Sequence, residues 1–512
     1  MTQSLKRSQL LYALAILGVI GLYFGWRVQL LSLHFSYDEG IHLIWGELWA
    51  AGYTPYEEIF LSYPPFFIWS MGVPWQLFQH PAALQLLMAA YALAGVLGVI
   101  YLGTVFHSRV AGLTAGLLLA FSPAYFIPSI RVMSEVPSVG IAVAAVALAE
   151  KYRRDGGRLW LGLAGAVVAL SLSLKILPFY AVPFVGLLAL LRHLDGESWP
   201  KVRQSLIESK TQILLDWLIA GSSFTLVFVL PFLLFDSGEA YRQVFGMRFD
   251  SRATEFNPYE SASRDILLFL FGNLSLMALT LYGLVFVVAR NLKQYGLLLV
   301  WLIFVWVSMN FHVPLRNKHM PIFLPLLAVF AGLAVDHIVN YLKKFRRNEF
   351  NGQTAAMVLM ISTLIWLSGW DLSRAYDRNN NVGEEELAKE EWLAPIEFVQ
   401  AVTTPRDCVI ADNPVFLYFT DRLPPPELAE ASSTRITTGH LSLDDIARAA
   451  EKHRCQAVAV VSPRFAEEVP GLTDWLAANY LEHRQVDGVS IYFGKIESKP
   501  DSTASPGKDG SP

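Results

Sequence analysis

Charge is what this sequence has least of. Only 16% of its 512 residues are Asp, Glu, Lys or Arg, while 54% are hydrophobic and 13% aromatic. Soluble domains carry nearer a quarter charged residues, so an ordinary water-soluble enzyme is excluded. Cysteine is nearly missing too. Two residues, Cys408 and Cys455, cannot make a disulfide framework. One pairing stays open, because each precedes an expected strand and the two meet if those strands are neighbours. There is no Walker A loop, no Gly-x-Gly-x-x-Gly and no Asp-x-Asp, so nucleotide binding has no support. The histidines do not fall at metal-ligand spacing. No repeat of fixed period is present, and no ten-residue alternation of the outer-membrane barrel kind. The net charge of −4 says little, because its distribution matters more; no nucleic-acid partner is expected.

Long hydrophobic runs are what the chain has instead. Leu10–Leu31, Leu214–Phe235 and Ile266–Ala289 are each long enough to cross about 30 Å of hydrocarbon as a helix. We expect about eleven spans, near 9–31, 82–107, 110–130, 137–150, 159–174, 176–191, 214–235, 264–290, 295–311, 321–341 and 354–371. Arg27, near the outer end of the first, has a stem long enough to snorkel to the surface. Residues 1–32 open with Lys6 and Arg7 and have no small-residue cleavage site, which reads as a retained first helix. The pairs Gly21/Gly25 and Gly112/Gly116 are expected only to pack helices.

The positive-inside rule orients the set. With a cytoplasmic N-terminus, seventeen Lys and Arg fall inside, among them Lys151, Arg153, Arg154, Arg158 and the Lys343–Arg347 cluster. Eight fall outside before the last helix, four of them (Arg242, Arg248, Arg252 and Arg264) in one loop. Pro64–Phe78 is hydrophobic but short, and counting it as a span reverses this bias, so it reads as an interfacial or re-entrant helix. Asp38, Glu135, the 236–263 loop, the 312–320 segment and everything beyond 371 then share the outer face. Three regions follow: a membrane domain over 1–371 whose outer loop 32–63 carries an acidic motif, an extracytoplasmic α/β domain over 372–497, and a disordered tail over 498–512. In the second, strands are expected at Val409–Asp412, Ala457–Ser462 and Ser490–Gly494, with helices at Leu443–Lys452 and Phe465–Tyr480.

The acidic motif is Phe35-Ser-Tyr-Asp38-Glu39-Gly40. A carboxylate beside an acceptor hydroxyl can take its proton as attack develops; equally, Asp38 can cap the helix that follows. Adjacent side chains point apart, so Asp38 facing the reaction leaves Glu39 to brace the loop or bind the acceptor. His42, Trp45 and Trp49 recur at helical spacing, as an interfacial aromatic belt or as a face for a sugar ring. Tyr63 closes the loop ahead of a rigid Pro-Pro. Glu135, in Arg131-Val-Met-Ser-Glu-Val-Pro, either supports Asp38 or pairs with Arg131. Lys175, alone between two spans, either snorkels or meets a lipid phosphate. His312, Arg316, Lys318 and His319 gather positive charge where the topology disfavours it, which points to an anionic ligand. The 236–263 loop, with Arg242, Arg248, Arg252 and Tyr259, is longer than a connector needs and can cover the site.

Taken in order, Asp38-Glu39 after the first helix, Tyr-Pro-Pro at 63–65, Ser-Glu-Val-Pro at 134–137, Leu-Lys-Ile-Leu-Pro at 174–178 and Arg316 to Pro325 resemble the GT-C membrane glycosyltransferases. The branch is the protein-mannosyltransferase-like and aminoarabinose-transferase-like one, and the match spans roughly residues 9–345. The resemblance implies a polytopic α-helical GT-C fold in the plasma membrane, a bacterial inner membrane by the appended domain. It implies an inverting sugar transfer from a polyprenyl-phosphate donor to a lipid, glycan or protein acceptor on the extracytoplasmic side. Asp38 matches the family's first-loop acid and Glu135 its second acidic position, where many relatives have Asp. Lys175 and Arg316, with Lys318 and His319 beside the latter, are candidates for the donor phosphate; His42, Trp45 and Tyr63 for the acceptor or sugar. No cofactor is required by this scheme and a divalent metal is optional. The competing readings are a transporter or flippase of lipid-linked saccharide, which should show repeats and broken mid-span sites, and a non-catalytic cell-envelope assembly protein.

Overall fold

A computed structural model describes residues 2–29, 31, 35–194, 199–254, 264, 266–267, 269–270, 273–310, 315–345, 386–387 and 392–495. The span expected at 354–371, most of the 372–391 linker, the 498–512 tail, Tyr259 and His312 lie outside these residues. The chain divides into two compact units, residues 1–387 and 388–512.

The first unit is helical. α1 (Thr2–Val28) leads to a two-residue strand β1 (Phe35–Ser36), α2 (Tyr37–Ala50), α3 (Pro65–Phe78) and α4 (Pro81–Phe106). α5 (Arg109–Phe121) and α6 (Pro123–Phe126) are followed by α7 (Glu135–Asp155), α8 (Arg158–Leu174), α9 (Ala181–Leu191) and α10 (Trp199–Val229). The short α11 (Ser237–Tyr241) and α12 (Met247–Thr254) follow, joined by a π-turn at Arg242–Gly246. Further helices run over Leu274–Gly283, Leu292–Asn310 and Leu324–Phe345. β2 (Glu386–Leu387) pairs antiparallel with β1.

Among the described residues, five helices are long and apolar enough to cross a membrane: Arg7–Val28, Pro81–Phe106, Lys201–Leu234, Leu292–Asn310 and Asn317–Lys343. The span expected over 110–130 is a bent pair, Arg109–Phe121 and Pro123–Ile130 at 68°. Pro123 cannot continue the ladder of α5, so the chain turns there. α8 and α9 are 17 and 11 residues long, and α3, at 14 residues, rises only about 21 Å, short of a crossing. α4 packs on α7, α7 on α8 and α8 on α10. Close approach depends on small residues. A Cβ at Gly112 would lie 2.4 Å from the Ile100 carbonyl, and one at Gly116 2.3 Å from Ile100 Cγ1, whereas Gly21 and Gly25 face open space. Only the second of the two expected glycine pairs packs helices.

Arg27 does not snorkel. It is fully buried, lies 3.4 Å from the Tyr23 ring centroid and donates to Ser129 Oγ (2.8 Å) and the carbonyls of Tyr23 (3.2 Å) and Ala120 (3.0 Å). A carbonyl near the end of α5 is a negative helix-dipole terminus, which suits a guanidinium.

The second unit is a four-stranded sheet, β3 (Val409–Ala411), β4 (Ala457–Val460), β5 (Tyr480–Val486) and β6 (Val489–Lys495), in the order β3-β4-β6-β5. β3 and β4 run parallel, with Val409 opposite Ala457; β6 is antiparallel to β4 and to β5. The helix expected at Phe465–Tyr480 is two, Pro463–Glu468 and Leu472–Asn479, interrupted at Val469-Pro470-Gly471. β5 is hidden in the sequence because it is a mostly exposed edge strand (Tyr-Leu-Glu-His-Arg-Gln-Val) without apolar alternation. Cys408 and Cys455, just ahead of the paired strands β3 and β4, form a disulfide.

Candidate active site

The acidic motif sits on the first turn of α2. Ser36 is its N-cap, and Glu39, three residues on, folds back so that its Oε2 accepts from Ser36 N (3.0 Å) and Ser36 Oγ (3.1 Å). That is a capping box, and it assigns the cap to Ser36 and Glu39 rather than Asp38. The other oxygen of Glu39 accepts from Val132 N at 2.9 Å. One turn further along α2, His42 Nδ1 donates to the Val132 carbonyl at 2.5 Å. Two side chains of α2 therefore hold both polar groups of one residue in the chain leading to α7. Burial raises the Glu39 carboxyl above its ordinary range, against the pull of Arg131 and its hydrogen bonds. Burial lowers His42 to about 4, so it is neutral at physiological pH.

With Val132 fixed, the start of α7 brings Glu135 beside the first turn of α2. Glu135 Oε1 accepts from Lys175 Nζ at 2.5 Å and lies 4.0 Å from Lys318 Nζ. Lys318 in turn is ion-paired with Asp38 Oδ2. Lys175 terminates α8 in an extended conformation, is 5% exposed, and also donates to Tyr63 Oη (3.3 Å). Two carboxylates and two ammonium groups thus alternate in one cluster, drawn from four segments far apart in the chain. Glu135 Oε2 is buried with no hydrogen-bond partner among the described residues. A buried charged acceptor left open in this way costs stability and marks where a ligand hydroxyl or water fits. Asp38 is half-buried. Burial by itself raises its carboxyl, but the Lys318 ammonium, with smaller contributions from His42 and Lys175, holds it below the ordinary carboxylate range.

The structure corrects several sequence expectations. Glu135 pairs with Lys175, and it is Glu39 that lies within 3.9 Å of Arg131. Lys175 is buried, not snorkelling. Lys318 enters the cluster, while Arg316 is exposed and gives its backbone N–H to His319 Nδ1 (3.2 Å). His319 is 5% exposed and closes that turn. His42 and Trp45 are 2% and 1% exposed. His42 packs on Trp45, Tyr63 and Phe67, and Trp49 lies flush against α3, where a Cβ on Gly72 would meet its ring at 1.8 Å. His42 and Trp45 are thus packing between α2 and α3, while Trp49 and Tyr63 remain partly exposed. Sequence reasoning does not single out Arg248 from the other cations of its loop, yet its guanidinium lies 5.8 Å from the Tyr63 ring centroid; the excess of positive charge in that loop is the available signal. Among the described residues, no three His, Cys, Asp or Glu side chains gather as a metal-ligand set.

The helical bundle with its carboxylate–lysine cluster and the small α/β unit is similar in fold to two kinds of solved structure. ArnT from Cupriavidus metallidurans, solved bound to undecaprenyl phosphate, aligns over 94% of this chain and 97% of its own, with TM-score 0.63 and 13% identity. The oligosaccharyltransferase AglB from Archaeoglobus fulgidus, solved with an inhibitory peptide and a dolichol-phosphate, aligns over 96% of this chain and 74% of its own, with TM-score 0.56 and 14% identity. No protein-family model matches the sequence, and no curated protein does.

Proposed function

We propose that this chain is an inverting glycosyltransferase that moves a sugar from a polyprenyl-phosphate donor to an acceptor hydroxyl at the outer surface of the membrane. The observation that carries the reading is the meeting of Asp38, Glu135, Lys175 and Lys318 in one cluster. The solved structures named above hold polyprenyl or dolichyl phosphates, which supports the donor class.

In the proposed reaction the acceptor oxygen attacks the anomeric carbon from the face opposite the phosphate. Its proton passes to Asp38 Oδ, the bond from C1 to the phosphate oxygen breaks, and that electron pair leaves on the phosphate. A phosphate leaving group needs positive charge rather than a proton, and Lys175, Lys318 and Arg248 are the cations at hand. Lys318 rests on Asp38. An arriving phosphate competes for that ammonium and releases the carboxylate lone pair for the acceptor. Glu135 keeps Lys175 in place and offers its open oxygen to a hydroxyl of acceptor or sugar. A lipid donor reaches the site already oriented by the bilayer, which lowers the entropic cost of the encounter.

The sidedness follows from the same reading. A disulfide belongs to an oxidising compartment, so the Cys408–Cys455 pair supports an extracytoplasmic C-terminal unit, in agreement with the charge bias of the loops. The test is to incubate purified protein with a panel of polyprenyl-phosphate sugars and extracted acceptors and to identify product by mass spectrometry. Asp38→Asn should bind donor and lose transfer by about 10²–10⁴-fold. Transfer undiminished in that variant would remove Asp38 from the mechanism.

A further inference from the structure

The chain between α10 and the Leu274–Gly283 helix makes contacts that a connector does not need. Asp236 caps α11 by accepting from Gly238 N (2.9 Å) and Glu239 N (3.0 Å). The π-turn then turns Gln243 inward; such turns cluster at functional sites. Gln243 is 5% exposed. Its Oε1 accepts from Leu61 N at 2.8 Å and its Nε2 donates to the Tyr56 carbonyl at 2.8 Å. The carboxamide does for the 56–61 loop what a neighbouring strand would. Tyr56 needs this support: its φ is +67°, a region in which a bulky residue persists only when its surroundings fix it. Tyr56 also donates to the Tyr63 carbonyl at 2.5 Å, and Tyr63 Oη receives Lys175. Five residues beyond Gln243, Arg248 Nη2 donates to the Ser62 carbonyl (3.2 Å), and Arg248 Nε is buried with no hydrogen-bond partner among the described residues.

We propose that Gln243 is a positioning residue: its carboxamide latches this strap onto the first outer loop and so seats Arg248 beside Tyr63 as the third cation facing the donor phosphate. The proposal rests on the reading of the site as a sugar transferase with a phosphate leaving group. Asp38 and Glu135 neutralise Lys175 and Lys318, so the four together have little excess charge with which to recruit an anion. Arg248 supplies one positive charge in excess and a planar fork suited to phosphate oxygens. An apolar residue at 243 could fill the space but would leave the Leu61 N–H and Tyr56 carbonyl buried and unpaired.

The experiment uses the full-length protein with Gln243→Leu, Gln243→Glu, Arg248→Gln and the Gln243→Leu/Arg248→Gln double variant. Amide exchange needs no ligand and should be faster at Leu61 and over 237–254 in Gln243→Leu. Affinity for undecaprenyl phosphate should fall roughly tenfold in Gln243→Leu and in Arg248→Gln, and no further in the double variant, as expected for residues acting as one unit. Gln243→Glu is a sharper probe. Its protonated carboxyl can accept from Leu61 and donate to Tyr56 as the amide does, while its carboxylate can only accept. The phosphate probe itself titrates in this range, so the reading is the ratio of variant to wild-type affinity at each pH, which should be close to one near pH 5 and fall toward pH 8. Unchanged exchange in Gln243→Leu overturns the latch. Faster exchange with unchanged affinity, or additive losses in the double variant, overturns the link to Arg248. Wild-type protein that does not bind undecaprenyl phosphate overturns the transferase reading and the phosphate role with it, while the exchange result still decides whether the latch exists.

Discussion

Glu135 and Asp412 are both buried carboxylates, one in each unit, and they are held in opposite ways. Asp412 accepts from Val461 N (2.8 Å), Ser462 N (3.1 Å), Ser462 Oγ (2.8 Å) and Phe465 N (3.4 Å). Backbone donors cannot leave, so this carboxylate fastens the end of β3 to the turn after β4. Glu135 is held on one oxygen by a lysine and left open on the other. Lysine ammonium groups on flexible stems can exchange partners. The difference separates a carboxylate that maintains a fold from one prepared to meet a ligand.

The strongest way to break that comparison is to delete the acid in each unit. Asp38→Asn, in the Glu135 cluster, should lower transfer by about 10²–10⁴-fold, the usual contribution of a general base, with little change in unfolding temperature. Asp412→Ala should do the reverse. It strands several buried donors, each worth about 1–3 kcal/mol, so the second unit should lose several kcal/mol in denaturant melts. A loss of stability in the first variant as large as in the second would erase the distinction.

The next test concerns pH. Burial raises the Asp38 carboxyl, and Lys318, helped by His42 and Lys175, more than reverses this, so Asp38 stays ionised through the neutral range. The sign for stability is that of a depressed acid: its contribution is present above the unfolded value near 3.9 and is lost as pH falls through the lower folded value. For activity, Lys318→Met removes the main lowering influence and leaves burial as the largest remaining cause, so the acid limb of residual kcat/KM should move to higher pH. A limb that stays in place would show that Lys318 does not keep Asp38 charged.

Much of this is legible in the sequence, and the boundary is physical. Hydropathy and charge parity identify the long apolar helices and the short α3, and bring Asp38, Glu135, Lys175 and Lys318 under suspicion as one group, because each depends on local composition. Partner choice is not legible. Nothing local says that Glu135 meets Lys175 while Arg131 approaches Glu39, or that Lys318 rather than Arg316 turns inward. His42, Trp45 and Trp49 read equally well as an exposed aromatic face, since helical spacing fixes which side chains share a side but not what covers them. Arg27 cannot be read as buried without the carbonyl and hydroxyl that receive it. Gln243 carries no signal at all, because one amide in a polar loop is the commonest of residues.

The smallest expected effect belongs to the pair that grips Val132. Glu39 and His42 touch neither Lys175 nor Lys318 in the hydrogen-bond network; they hold the Val132 N–H and carbonyl three residues ahead of Glu135. If that grip sets the approach of Glu135 to Asp38, then Glu39→Gln or His42→Phe should lower kcat about tenfold, leave donor KM nearly unchanged and cost about 1–2 kcal/mol of stability for the hydrogen bonds lost. A purely structural role predicts the stability loss as well, so stability alone cannot separate the two. The separating measurement is a double-mutant cycle against Glu135→Gln. Residues that act through Glu135 should add little once its charge is gone, whereas residues that merely hold α2 together should lower kcat by the same factor in either background. Independent factors would return Glu39 and His42 to packing and leave Asp38, Glu135 and the lysines as the site on their own.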